Sequence, residues 1–190
     1  MNKNKFDVIR NILLLFILFA VCGWIYEVIW TYFDDGVWTN RGFLFGPWLP
    51  IYGFGGMLVY AIFRKQITKP FYVGKLNIRF VLLFIYVCLI TTFVELAATY
   101  IIELFGSPFT VLWDYSEHFM NFQGRICLDA SARFGVLGLM IIYGVLPIYR
   151  KLIAIKNQKL LNAISWTLIA LFAIDWILRI PFGNNYNGPI

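Results

Sequence analysis

Five apolar stretches of about 20 residues govern what this chain can fold into: residues 11–32, 43–63, 80–104, 126–149 and 160–180. About 20 helical residues cross ~30 Å of hydrocarbon, so each stretch reads as a membrane span. The loops between them hold roughly 10–20 residues, too few to build a second core. Of the 190 residues, 61% are hydrophobic and 14% charged, which leaves no material for a soluble module. The expectation is an all-α, polytopic membrane protein with five transmembrane helices, residues 1–190 forming one integral membrane domain.

The basic residues orient it. Twelve of the 16 Lys and Arg sit in three places: Lys3, Lys5 and Arg10 before the first span; Arg64, Lys65, Lys69, Lys75 and Arg79 in the second loop; Arg150, Lys151, Lys156 and Lys159 in the fourth. The alternate loops hold mainly Asp34, Asp35, Glu103, Asp114 and Glu117. Positive charge marks the cytoplasmic side, so the N-terminus is expected inside and the C-terminus outside, in a multi-pass protein of the cytoplasmic membrane. The net charge of +6 is thereby spread over membrane-flanking loops, and nucleic acid is not an expected partner. The first apolar run continues through Gly23-Trp24-Ile25-Tyr26 to Trp30 without a small-x-small cleavage site, which excludes a signal peptide. Phe19-Ala20-Val21 before Cys22 lacks the small residue a lipoprotein anchor needs. Cys22, Cys88 and Cys127 all lie in spans and show no metal-ligand spacing, so they read as buried apolar residues.

The spans carry charges that a bilayer disfavours by roughly 2.5–3.5 kcal/mol each on insertion scales. They are Glu27, Glu95, Asp129 with Arg133, and Asp175 with Arg179. With the N-terminus inside and 1.5 Å per residue, Glu27 falls roughly 8 Å outside the midplane, Glu95 about 5 Å, Arg133 about 7 Å and Asp175 about 8 Å. Asp129 and Arg179 come nearer the outer interface. The clustering predicts polar ground reached from the extracytoplasmic face. Asp129–Arg133 and Asp175–Arg179 are i, i+4 pairs able to neutralise each other on their own helices. Glu27 and Glu95 have no partner on their own helices and need one from elsewhere, or a proton. For Glu95, which shares a face with Thr92 and Thr99, Arg133 is the first expected partner and Arg41 or Arg125 the second.

The second stretch opens Gly42-Phe43-Leu44-Phe45-Gly46-Pro47-Trp48-Leu49-Pro50, with two prolines three apart and five glycines between Gly42 and Gly56. That composition predicts a helix broken in its outer half. Such backbone survives at membrane depth only where protein or a cavity satisfies it, a device recurrent in transporters. In the third loop, Trp113-Asp114-Tyr115-Ser116 and Asn121-Phe122-Gln123-Gly124-Arg125 mix aromatic and polar residues and read as a lid, with Asp114 and Arg125 candidate site residues. No phosphate-binding glycine loop, His-x-x-x-His, nucleophile elbow or cysteine cluster is present, so neither metal nor cofactor is expected. The single His118 reads as solvated.

Several of these segments resemble, in order and spacing, a family described as putative ABC-transporter type IV, or putative ABC transporter permease, of bacterial membranes. They are Gly23-Trp24-Ile25-Tyr26-Glu27-Val28, Asn40-Arg41-Gly42-Phe43-Leu44-Phe45-Gly46-Pro47, Pro50-Ile51-Tyr52-Gly53-Phe54-Gly55, Trp113-Asp114-Tyr115-Ser116 and Gly124-Arg125-Ile126-Cys127-Leu128, with Glu95 between. The resemblance covers roughly residues 10–150. Glu27, Arg41, Glu95, Asp114 and Arg125 fall at family-like positions, whereas Asp129, Arg133, Asp175 and Arg179 are outside the pattern. It implies a transport component working with an ATPase subunit or as a homo-oligomer.

Three functional readings follow, with Glu27, Arg41, Glu95, Asp114, Arg125 and Arg133 as the candidate binding set. The first is a permease-like component whose outward pocket takes a small polar or cationic solute. The second is an enzyme acting from the outer face on a lipid or lipid-linked substrate, with Glu27 or Glu95 as acid or base and Arg41 and Arg125 holding a phosphate. The third is an accessory protein whose charges only join helices. Beyond such partners, the chain's surroundings are membrane lipids.

Overall fold

The prolines of the second apolar stretch decide the architecture as much as the long helices do. In the computed structural model, which describes residues 5–40, 42, 44–65, 68–106, 108–111 and 113–182, four helices are long and apolar enough to cross a membrane. They are α1 (Lys5–Asp35), α3 (Arg79–Leu104), the run Leu128–Ile153 and α6 (Gln158–Phe182). The second stretch gives instead a helix α2 of 14 residues, Pro50–Phe63, about 21 Å long at 1.5 Å per residue. The residues before it, 44–49, are non-helical. Pro47 and Pro50 push the preceding Gly46 and Leu49 out of the helical region. Pro50 then sits at the first helical position, where its missing N–H costs nothing.

The run Leu128–Ile153 comprises α4 (Leu128–Met140), one π turn (Ile141–Val145) and α5 (Leu146–Ile153). Pro147 has no N–H to give the carbonyl of Tyr143 four residues back, and the helix widens just there. Between α2 and α3 lies a small antiparallel hairpin, β1 (Tyr72–Val73) and β2 (Leu76–Asn77), turning at Gly74 with φ +60°.

The chain forms two compact units, residues 1–58 with 141–190, and residues 59–140. In the first, α1 packs on α6 and on the start of α2. Contacts advance together along α1 and α6: Arg10 reaches Asn162, and Phe16 meets Phe172 at 5.7 Å between ring centres. The two helices therefore run parallel. Glycines allow α2 to approach α1, since a Cβ at Gly53 or Gly56 would strike the rings of Phe16 or Phe19, and one at Gly23 the ring of Tyr52. In the second unit α3 and α4 run antiparallel. Their hydroxyls Thr92 and Ser131 meet at 2.6 Å, Gly135 sits against Cys88 and Phe84, and Gly138 sits against Val87. Large apolar side chains such as Phe54, Phe93 and Ile177 stay exposed on the helix surfaces.

Candidate functional site

Each unit gathers the charges of its long apolar helices into its own polar cluster. In the first unit the cluster is built on the non-helical segment 44–49. Asp175, on α6, accepts hydrogen bonds from the N–H of Phe45 at 3.0 Å, the N–H of Gly46 at 2.7 Å and the indole N–H of Trp48 at 2.6 Å. Trp48 N–H turns back to the Gly46 carbonyl at 2.8 Å, and Leu49 N–H reaches the Ala20 carbonyl on α1 at 3.0 Å. Pro47 has no N–H, so every backbone donor from Phe45 to Leu49 is satisfied, as a non-helical segment packed among helices requires. The Phe45 carbonyl accepts from Asn40, whose side-chain oxygen in turn accepts from the Trp24 indole at 2.7 Å. The Trp48 ring packs with Ala20 and Leu44, edge-on to Phe172.

This arrangement corrects the i, i+4 expectation for the last helix. Asp175 gives its oxygens to a segment 127–130 residues away, and Arg179 lies over the Phe45 ring, 4.8 Å from its centre. Both side chains are buried. Glu27, half-buried on α1, accepts a hydrogen bond from the Tyr52 hydroxyl of α2. Arg41 lies outside the described residues.

In the second unit the cluster is centred on Glu95 of α3, which is 7% exposed. Its Oε1 accepts from the Tyr115 hydroxyl at 3.1 Å; its Oε2 is buried and meets no hydrogen-bond partner among the described residues. Tyr115 descends from the loop between α3 and α4. Burial, and then the negative charge of Glu95, push its phenol above the usual tyrosine range, so it remains a hydrogen-bond donor.

The loop is a folded cap. Tyr115 N–H bonds the Gly124 carbonyl at 2.8 Å, the Trp113 indole bonds the Arg125 carbonyl at 2.8 Å, and Asn121 bridges the carbonyls of Ser116 and His118. Met120 and Gln123 adopt positive φ, 52° and 55°, to close its turns. Arg125 ties the cap to α3: one guanidinium nitrogen reaches both oxygens of Glu103 at 2.8 and 2.9 Å, and its plane lies 4.5 Å from the Tyr100 ring and 4.4 Å from that of Phe109.

The sequence-predicted residues thus separate. Arg133 pairs with Asp129 one turn away, as its i, i+4 spacing indicates. The expected Glu95–Arg133 pair is replaced by Glu95–Tyr115, and the second choice, Arg125, belongs to Glu103. Asp114 is exposed and accepts from the N–H and hydroxyl of Ser116, which hold its carboxyl below the usual range. It shapes the cap turn rather than meeting Glu95. His118 Nδ1 stands 3.9 Å from Asp129. Among the described residues no group of three or more His, Cys, Asp or Glu is placed to hold a metal. The groove lined by Trp24, Ile25, Val28, Ile29 and Trp38 on the flank of α1 is apolar and includes none of the carboxylates.

The family described as putative ABC-transporter type IV matches residues 14–180. The chain belongs to this family. The match to putative ABC-transporter type IV runs well past residue 150 and takes in α6, so Asp175 and Arg179 lie within the family region alongside Glu27 and Glu95. None of the curated proteins and none of the solved structures matches significantly. Sequence reasoning missed Tyr115, Tyr52 and Trp48 as partners of the carboxylates. Tyr115 was in view within Trp113-Asp114-Tyr115-Ser116, but nothing local marks a hydroxyl that bonds 20 residues upstream.

Proposed function

We propose that this chain is the membrane component of a transport system, with its polar sites approached from the extracytoplasmic side of the cytoplasmic membrane. The observation that carries the reading is Glu95: a carboxylate on a membrane helix, buried, capped by a loop tyrosine and presenting an oxygen with no described protein partner. A purely structural carboxylate would have both oxygens satisfied, as Asp175 does. Family membership supports transport and an ATPase partner. In this reading the partner meets the basic inner loops, residues 64–79 and 150–159.

Five crossings with the N-terminus inside and the C-terminus outside fit this function. The parallel course of α1 and α6 supports that count. With α3 and the run Leu128–Ile153 each crossing once, two parallel helices at the ends of the series require one further crossing between them, and segment 44–49 with α2 supplies it. Glu27, Arg41, Asp114, Arg125 and Arg133 then act as helpers: Glu27 beside Tyr52 of α2, Asp114 and Arg125 as supports of the cap, Arg133 as the charge beside Tyr115, with Arg41 retained from the sequence alone.

The test is solute flux into proteoliposomes carrying the chain with its co-purifying ATPase. Flux should fall at least tenfold in Glu95→Gln. Flux indifferent to both Glu95→Gln and Glu27→Gln contradicts the reading.

A further inference from the structure

The local charges around Glu95 are not balanced. The described ion pairs of this unit match Arg125 with Glu103 and Arg133 with Asp129, and none includes Glu95. The groups acting on Tyr115 are Glu95, Cys127 and Arg133, and His118 stands beside Asp129. Among the described residues Arg133 is thus paired with Asp129, and no positive side chain forms an ion pair with Glu95. Tyr115 supplies a hydrogen bond to Oε1 but no charge. A buried carboxylate without a positive partner is strongly disfavoured. The side chain is more than nine-tenths buried, and its second oxygen is still without a protein partner. Hydroxyls share this helix face: Thr92 and Ser131 pair theirs 2.6 Å apart one helical turn before Glu95, and Thr99, one turn after it, donates to the Leu96 carbonyl at 2.7 Å.

We propose that Glu95 is a cation-binding site, in which Oε2 takes a single positive charge, as a proton or as a small monovalent metal ion such as sodium, beneath the Tyr115 cap. A compact cation suits the place, because hydroxyl and carboxylate oxygens are hard donors and the burial leaves no room for a bulky head group. Arg133 is paired with Asp129. Tyr115 fixes Oε1 so that Oε2 keeps its direction, and since Tyr115 belongs to the loop, cation binding and cap position are linked. The inference deepens the transport reading by naming the cation that the Glu95 site holds, and rests on that reading for its purpose; the binding event itself is read separately.

The experiment uses the full chain in nanodiscs. In the sodium arm, thermal unfolding is followed as sodium chloride replaces choline chloride at constant ionic strength. In the proton arm, infrared difference spectra in H2O and D2O are searched for an exchangeable protonated-carboxyl stretch. A saturable Tm rise of several degrees with sodium, lost in Glu95→Gln, supports the site with sodium as its ion. A carboxyl band present in the wild type and missing from Glu95→Gln supports it with the proton. Glutamine keeps an acceptor for Tyr115, so the fold survives the substitution. Tyr115→Phe, which keeps the carboxyl, should still show the same ion with its affinity shifted severalfold: weakened for sodium, whose ligand oxygen is less well fixed, and tightened for the proton, because the phenol's hydrogen bond favours the ionised carboxylate. If neither sodium nor a Glu95-dependent carboxyl band registers, the proposal is overturned. Binding without solute flux leaves the site standing and removes the transport reading; flux without binding does the reverse.

Discussion

At the scale of single residues, the carboxylates of the spans divide by how their oxygens are spent. Asp175 is a strut: three N–H donors converge on it, the Trp48 indole buried and the Phe45 and Gly46 amides partly so. At about 1–3 kcal/mol for a buried unsatisfied donor, Asp175→Ala should lower stability by about 1–3 kcal/mol through Trp48 alone, seen as a drop in Tm in detergent. A Tm unchanged by Asp175→Ala would mean that the segment holds without it. Tyr115 offers a different signature. Its phenol is raised in the folded state, so its neutral form contributes stability that is intact below the ordinary tyrosine value near 10 and lost as pH climbs above it. Relative to Tyr115→Phe, the wild type should lose up to about 1.4 kcal/mol per pH unit in that window. Parallel alkaline unfolding curves for the two proteins would show that Tyr115 is not held neutral.

At the scale of elements, the local chemistry was legible and the long-range chemistry was not. Pro47 and Pro50 announce a break because their effect on the backbone is confined to neighbouring residues, and the structure has non-helical backbone there. The pair Asp129–Arg133 was legible for the same reason, its geometry being set by one helical turn. The identical spacing of Asp175 and Arg179 misled, since backbone N–H groups freed by a distant break outcompete the neighbouring guanidinium and leave no mark in the sequence around Asp175. Likewise Glu95 found a phenol where charge alone suggested an arginine. Close packing of α2 on α1 is testable within one helix. Gly56 faces Phe19, whereas nothing lies within 4 Å of a Cβ at Gly55. Gly56→Ala should therefore destabilise by about 1–3 kcal/mol through overpacking. Gly55→Ala should be neutral or stabilising by up to about 1 kcal/mol, from helix propensity. Equal thermal shifts for the two would contradict the packing described.

At the scale of the whole molecule, the apolar stretches gave the membrane class directly, because span length is a property of composition and of the bilayer. The number of crossings turns on α2, whose 14 residues are too few to span as a helix alone, so a crossing there needs segment 44–49 for the remaining depth. If the stretch crosses, five spans put the Glu95 cap outside and the basic hairpin at Gly74 inside; if it does not, the later spans reverse. Reporter fusions after Lys65, at Gln158 and after residue 182 decide this, with the N-terminus tagged in the same cells. The account predicts fluorescent, cytoplasmic fusions at the N-terminus, Lys65 and Gln158, and an extracytoplasmic fusion, active as alkaline phosphatase, after residue 182. A C-terminal fusion on the same side as the N-terminus would contradict it.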